Sequence, residues 1–152
     1  MKLSTKGRYG LRAMVDIAVY SQDGPVPISA IAERQNISVR YLEQLLPKLK
    51  KAGIIKSSRG AQGGYMLDKD PKDISAGDIL RTLEGDLTPI DCAAFTGDTS
   101  TCSGTKFCVT KTVWKRINDS VQQAVDSITL KELMEESIEI HSKYDQEERQ
   151  ES

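Results

Sequence analysis

The chain has 152 residues, 38% of them hydrophobic and 28% charged, with a formal net charge of −1. That length suits one domain or one domain with an extension. No run approaches the ~18 apolar residues of a membrane span, and the opening M-K-L-S-T-K-G-R-Y-G has no apolar stretch of signal-peptide type, so a cytoplasmic protein with no membrane partner is expected.

The small net charge conceals an asymmetry. Residues 1–60 carry eleven Lys and Arg against four Asp and Glu, a balance of +7, whereas residues 61–152 carry ten against eighteen, a balance of −8. A basic half joined to an acidic half suggests a nucleic-acid-binding end and a separate end for something else.

The first helical pattern runs from about Lys6 to Tyr20, with Leu11, Met14, Val15 and Ala18 on one face and Ser4 or Thr5 as its cap. Gly24 and Pro25 end it. A short helix follows from Ser29, read as an N-cap, to Arg34. After a tight turn at Gln35-Asn36, anchored by Ile37, Ser38 caps a second helix that runs to Ala52. Leu42, Leu45, Leu46 and Leu49 form its buried side, and Gly53 stops it. Two helices joined by a short turn, the second with a polar outer face, form a helix-turn-helix pattern. Pro47 conflicts with the second helix, because it removes one backbone bond and crowds the preceding turn. A kink between Glu43 and Pro47, or an early end, is expected there.

After Gly53 the pattern changes to I-I-K-S-S, R-G-A-Q-G-G and Y-M-L, which reads as strand, glycine-rich tip and strand. Gly60, Gly63 and Gly64 permit positive φ at the tip. A basic hairpin directly after a helix-turn-helix is a wing, with Arg59 placed to enter a minor groove. The glycines match neither a Walker loop nor G-x-G-x-x-G opening a helix. A further helix spans about Ser75 to Leu83, with a capping box formed by Ser75 and Asp78 and Gly85 as its stop.

Cys92, Cys102 and Cys108 then fall within seventeen residues, spaced C-x9-C-x5-C among Thr, Ser, Gly, Asp and Lys. Such surroundings hold a thiol out rather than bury it as a small hydrophobe, and three thiols leave one over from any disulfide framework. Thiolate sets of this kind hold iron–sulfur clusters or zinc. Gly97, Gly104 and the Ser/Thr run let the backbone fold around a metal, and Lys106 and Lys111 favour thiolate over thiol. Without metal, residues 91–107 are expected to be mobile.

From about Thr110 to Ser127 a longer helix carries Trp114, Ile117, Val121, Ala124 and Ile128 at alternating spacings of three and four, widened by Val113 and Val125. That is a narrow coiled-coil-like seam, and pairing with its twin in a homodimer is its simplest cover. A last short helix spans Leu130 to Ile140, and the tail K-Y-D-Q-E-E-R-Q-E-S is expected to be disordered. The resulting fold class is mainly α with a small β-wing. Residues 1–84 form a winged helix-turn-helix domain, 85–109 a cysteine-bearing loop, 110–140 a dimerisation helix with a C-terminal helix, and 141–152 a flexible tail.

On the nucleic-acid side, Ser38, Arg40, Tyr41, Glu43 and Gln44 occupy the first turns of the second helix. Lys2, Lys6, Tyr9, Tyr41 and Lys48 are candidates for DNA backbone contacts, which set register. Glu43 and Gln44 are candidates for base contacts, since Glu accepts from cytosine and Gln pairs with adenine. Two such domains in a dimer would meet a pseudo-palindromic operator in double-stranded DNA. No catalytic residue is expected, because the thiol segment is the only concentrated chemistry.

The runs M-K-L-S-T-K-G-R-Y-G-L-R-A-M, S-V-R-Y-L-E-Q-L and S-S-R-G-A-Q-G-G-Y resemble the Rrf family of bacterial winged-helix regulators over roughly Met1 to Leu133. The cysteines followed by V-T-K-T-V-W are most similar to its cluster-sensing branch. That resemblance implies a homodimeric repressor or dual regulator whose cluster, 2Fe–2S with 4Fe–4S as the alternative, selects its DNA sites, including genes of iron–sulfur assembly. It gives the residue matching Glu43 a role in choosing sites accepted by the cluster-free form. Two departures stand out. The first cysteine gap is nine where the branch has five, and Lys111 stands where the branch places a ligating histidine. A protonated lysine has no lone pair for a metal. The fourth ligand is left open among Asp91, Asp98, a residue of the partner chain and a small thiol, while His141 reads as an exposed helix residue. The stretch A-G-D-I-L-R-T-L-E-G-D-L-T-P-I-D resembles a second branch, which represses cysteine metabolism through a partner enzyme and lacks the triad. Zinc closed by four ligands is the structural rival.

Overall fold

The computed structural model describes residues 3–90, 92 and 108–152. Lys2 and Cys102 therefore lie outside the described residues, as do Asp91, Gly97, Asp98, Gly104 and Lys106. Helix α1 spans Thr5–Tyr20, and Ser4 caps it by accepting from the Lys6 N–H. Helix α2 spans Ile28–Gln35 and starts two residues earlier than Ser29 as a cap would allow. Pro27 holds the N-cap position instead, in extended conformation, and its carbonyl accepts from the Ala30 and Ile31 N–H groups. Asn36 ends α2 in the left-handed region at φ 52°, ψ 49°, and Ile37 is buried beside it. Asn tolerates that conformation better than most residues, so the turn between the two helices is short.

Helix α3 spans Val39–Lys51 with the Ser38 side chain accepting from the Tyr41 N–H. Leu42, Leu45, Leu46 and Leu49 are all within 1% of full burial, and each such side chain contributes roughly 1.5–3 kcal/mol of hydrophobic stabilisation. Pro47 does not end the helix early, for α3 continues through it to Lys51. Its ring lies on the exposed side with Glu43, whose carbonyl loses its helical partner where solvent can reach it.

Strands β1 (Ile55–Ser58) and β2 (Gly64–Leu67) pair antiparallel, with Ile55 opposite Leu67 and Ser58 opposite Gly64. Gly60 takes a positive φ of 109°. Gly63 does not, and space explains it instead: a Cβ there would press on the Ser58 carbonyl oxygen. Val26 bridges to Tyr65 with two 2.8 Å backbone bonds, which ties the wing's return strand to the start of α2. A single 3-10 turn (Pro71–Asp73) leads to α4 (Ala76–Glu84), whose Ser75/Asp78 capping box is present as expected and whose last turn stops at Gly85, φ 84°.

Helix α4 lies across α1 at close range, because a Cβ on Gly10 would collide with Leu83. Helix α5 spans Lys111–Ser127, and α6 spans Leu130–Glu151 behind a Thr129/Glu132 capping box. The expected flexible tail at 141–152 is helical through Glu151. Its Glu, Lys, Gln and Arg residues are strong helix formers, and Lys143 pairs with Glu139 one turn earlier at 2.8 Å. The joint between α5 and α6 is sewn to the winged domain, since the Ala76 N–H donates to Ile128 O and the Leu130 N–H to Ile74 O, both at 2.8 Å. Leu130 is fully buried in the same core as Met14, Ile17, Ile31, Leu46 and Ile79. The C-terminal helix thus begins inside the winged domain and packs along α1.

Candidate nucleic-acid interface

The α3 helix presents its two faces very differently. The leucine face is locked in the core, and Arg40, Glu43, Gln44 and Lys48 on the other face are exposed. Ser38, which caps the helix, is exposed beside them, and Arg59 is exposed on the wing just past β1. Lys50 donates to Ser57 Oγ at 2.6 Å, tying the end of α3 to the first wing strand. Helix and wing are therefore held in one fixed arrangement.

Tyr41, half-buried, joins α3 to α1. Its hydroxyl lies 2.9 Å from Thr5 Oγ1, and its ring meets Tyr9 edge to face at 5.7 Å and 88°. The Arg12 guanidinium stands 5.4 Å over the Tyr9 ring and donates to the Gln35 carbonyl at the end of α2. Lys6 is exposed one residue beyond Thr5. The structure thus brings Lys6, Tyr9, Ser38, Arg40, Tyr41, Glu43, Gln44 and Lys48 onto adjoining parts of α1 and α3.

A buried ion pair sets α2 against α1. Asp16 is 1% exposed, and it accepts from Arg34 Nε at 2.9 Å, Arg34 Nη2 at 2.8 Å and Gln35 Nε2 at 3.0 Å. The Asp16 hydrogen bond raises the Arg34 pKa further above the ordinary arginine value. The guanidinium also stacks 3.8 Å from the Tyr20 ring centre. Sequence reading missed Asp16, Thr5, Arg12 and Glu84. A lone acidic residue at the apolar Met14–Ile17 stripe was the available signal for Asp16. Nothing in the pattern pointed to Glu84, whose partners lie about eighty residues away. Its carboxylate accepts from Ser4 and Gly7 at the start of α1. Burial acts against its charge, but the Ser4 and Gly7 bonds and nearby Lys6 win, holding it below the ordinary glutamate value.

Of the thiols, Cys92 and Cys108 are both free and half-buried. Cys108 Sγ lies 3.0 Å from Thr110 Oγ1 just before α5. The Thr110 hydroxyl, the Lys111 and Thr110 amides and the Lys111 charge together lower its pKa against a small desolvation penalty. His141 is exposed on α6, with Nδ1 2.7 Å from the Ser137 carbonyl oxygen.

The seam on α5 is open in the single chain. Ile117 is 40% exposed and Val113 51%, Ala124 is exposed, and Trp114 and Val121 are half-buried. Two residues of the expected seam do not join its open face. Val125 turns towards Gly77 of α4. Ile128 lies past the helix end in extended conformation, where its backbone joins the bridge to Ala76. The bridge ends the helix one residue before the heptad pattern does.

Residues 3–136 match the Rrf2 family, described as iron-dependent transcriptional regulators. The chain belongs to the Rrf2 family. It is 41% identical over 134 residues to the HTH-type transcriptional regulator IscR of Yersinia pseudotuberculosis, covering 88% of this chain and 79% of the relative. It is 42% identical over 134 residues to IscR of Aliivibrio salmonicida, covering 88% and 77%. Among solved structures it is similar to CymR, the global cysteine regulator of B. subtilis, with a TM-score of 0.74, 41% identity and coverage of 89% and 97%. It is also similar to T. potens IscR, with a TM-score of 0.71, 46% identity and coverage of 90% and 88%. The winged helix-turn-helix is accordingly the fold of an Rrf2 DNA-binding transcriptional regulator. Among the described residues, no helix is long and apolar enough to cross a membrane.

Proposed function

We propose that this Rrf2-family chain is a cytoplasmic, homodimeric repressor whose operator binding follows iron–sulfur status, with genes of iron–sulfur assembly among its targets. The carrying observation is α3 itself: its leucine face is buried while Glu43, Gln44 and Lys48 stand exposed beside a wing bearing Arg59. In this reading Lys2, Lys6, Tyr9, Tyr41 and Lys48 bind the DNA backbone and fix register. Glu43 and Gln44 read base edges in the major groove, and Arg59 reaches the minor groove. Two copies joined along the α5 seam place two such surfaces on a pseudo-palindrome.

Cys92, Cys102 and Cys108 would hold the cluster, 2Fe–2S or alternatively 4Fe–4S. The donor set fits, because thiolates are the usual protein ligands of such clusters and the lowered Cys108 pKa favours the thiolate. A bound cluster supplies a redox- and iron-responsive crosslink of the segment that carries these thiols. Lys111 gives no fourth donor, so the fourth position falls to another group. An exchangeable ligand there suits a sensor. The chain's own part is to anchor the N-terminal side of that segment at Leu87, 2% exposed, and to lead its other side into α5.

The missing histidine and the similarity to CymR favour one second reading, a cysteine-metabolism repressor controlled by a partner enzyme or thiol oxidation. The test of DNA reading is Arg59→Ala. It is expected to weaken binding by about 1–3 kcal/mol at matched salt, and unchanged affinity would remove the wing from the interface.

A further inference from the structure

Glu84 ends α4, and its carboxylate turns to the start of α1 rather than to solvent. One oxygen, Oε1, accepts from the Ser4 N–H at 3.0 Å, the Ser4 hydroxyl at 2.6 Å and the Gly7 N–H at 2.7 Å. These amides belong to a helix start that has no intrahelical partners for them, and a carboxylate also complements the positive end of the helix dipole. Gly7 is part of the fit, since a Cβ there would lie 2.9 Å from Oε1 and 3.0 Å from Leu80 Cδ2.

The turn that Glu84 grips carries DNA-facing groups. Thr5 Oγ1 is 2.9 Å from the Tyr41 hydroxyl of α3, and Lys6 is exposed next to it. On its other side Glu84 adjoins Gly85, where the chain leaves α4 with φ 84° towards the buried Leu87 anchor. The Glu84 bonds to Ser4 and Gly7 and the Thr5–Tyr41 bond thus meet in one turn of α1, linked through its backbone.

We propose that Glu84 is a positioning residue for DNA binding, fixing the first turn of α1 so that Lys6 and Tyr41 meet the phosphate backbone together. The inference rests on the DNA-binding reading above. It makes a prediction opposite in sign to plain electrostatics. An acidic residue near a DNA-facing surface repels phosphate, so removing its charge alone strengthens binding. Removing a grip that orders the contact turn weakens it.

The experiment uses the full chain and a duplex selected by the wild-type protein from a randomised pool. Dissociation constants are measured over a range of salt for wild type, Glu84→Ala, Glu84→Gln and Thr5→Val. Glu84→Ala is expected to weaken binding about tenfold, on the scale of losing charge-assisted hydrogen bonds, and to flatten the salt slope by about one phosphate contact. Glu84→Gln keeps an acceptor oxygen without the charge and is expected to fall between wild type and Glu84→Ala. Thr5→Val leaves the Glu84 bonds in place and is expected to give the same flattening, with its effect less than additive to that of Glu84→Ala. If Glu84→Ala does not fold, Glu84→Gln and Thr5→Val carry the test. Binding by the Glu84 variants as tight as wild type or tighter, or a Thr5→Val slope equal to wild type, overturns the inference. A wild-type protein that selects no duplex overturns the DNA-binding reading instead.

Discussion

Arg81 on α4 grips Asp126 at the end of α5 with two hydrogen bonds, Nη1 to Oδ1 at 2.7 Å and Nη2 to Oδ2 at 3.0 Å. Nη2 also donates to Gln122 Oε1 at 2.6 Å. Together with the backbone bridge at Ile128 and Leu130, this fork fixes the C-terminal end of α5 to the winged domain. The cysteine-bearing segment meets α5 at the other end. The side chains are 35% and 48% exposed, so solvent screens the pair. Arg81→Ala is expected to cost only about 1 kcal/mol in chemical denaturation. A double-mutant cycle with Asp126→Ala should return a coupling of about 0.5 kcal/mol or more, and strict additivity would show that the fork contributes nothing.

The buried Asp16 is a different case. Removing its partner leaves a buried carboxylate on α1 that keeps the Gln35 amide but loses the compensating charge. Arg34→Ala is expected to destabilise the fold by about 3 kcal/mol, the lower end for breaking a buried pair, because Arg34 itself keeps a third of its surface in water. Urea unfolding checks this, and a loss below about 1 kcal/mol would mean that water replaces the guanidinium.

Acid should loosen the clamps in a defined direction. The Arg81 hydrogen bond and charge hold the Asp126 pKa below its ordinary value against a small cost of burial. A group whose folded value is depressed binds fewer protons folded than unfolded. Its stabilisation is therefore fully present above about pH 4 and is lost as pH falls through the lowered folded value. The melting temperature of Asp126→Asn should lie below wild type at pH 7 and converge on it in acid. A gap that persists unchanged through the acid limb would contradict the assignment.

The exposed seam of α5 yields a prediction about assembly. Lysine at Ile117 or glutamate at Val121 is expected to convert a dimer to monomer by light scattering and to reduce operator affinity in step, since each half-site then binds alone. A dimer that survives both substitutions would place the interface elsewhere.

Much of this arrangement was legible in the chain because its signals are local. Ser4, Ser38 and Ser75 act as caps, the four leucines of α3 repeat at helical spacing, and the glycine-rich tip separates two short strands. Misreadings arose where local signals competed or were weak. Ser29 is a good cap type, yet Pro27 already supplies the extended residue and accepting carbonyl that start α2. The early helix end that Pro47 offered as one of two outcomes does not occur, because proline is tolerated where its side of α3 faces water. The tail has no apolar face, so periodicity is silent, whereas its helix formers and the Lys143–Glu139 pair extend α6. The Glu84 grip and the Arg81–Asp126 fork were not legible, because they join residues far apart in sequence whose types are ordinary on any surface. The cysteine spacing suggested a metal, but Cys102 lies outside the described residues, so the structure adds only the settings of Cys92 and Cys108.

Sensing of iron–sulfur status, as proposed for this Rrf2 regulator, requires the three thiols to hold iron. The most direct measurement is the iron and sulfide content, with the visible absorbance spectrum, of anaerobically purified wild type and of Cys92→Ala, Cys102→Ala and Cys108→Ala. A coloured wild-type protein carrying both elements is expected, with iron and absorbance lost or sharply reduced in each variant. A colourless, iron-free wild type, or three variants that all keep full iron and the parent spectrum, would contradict it.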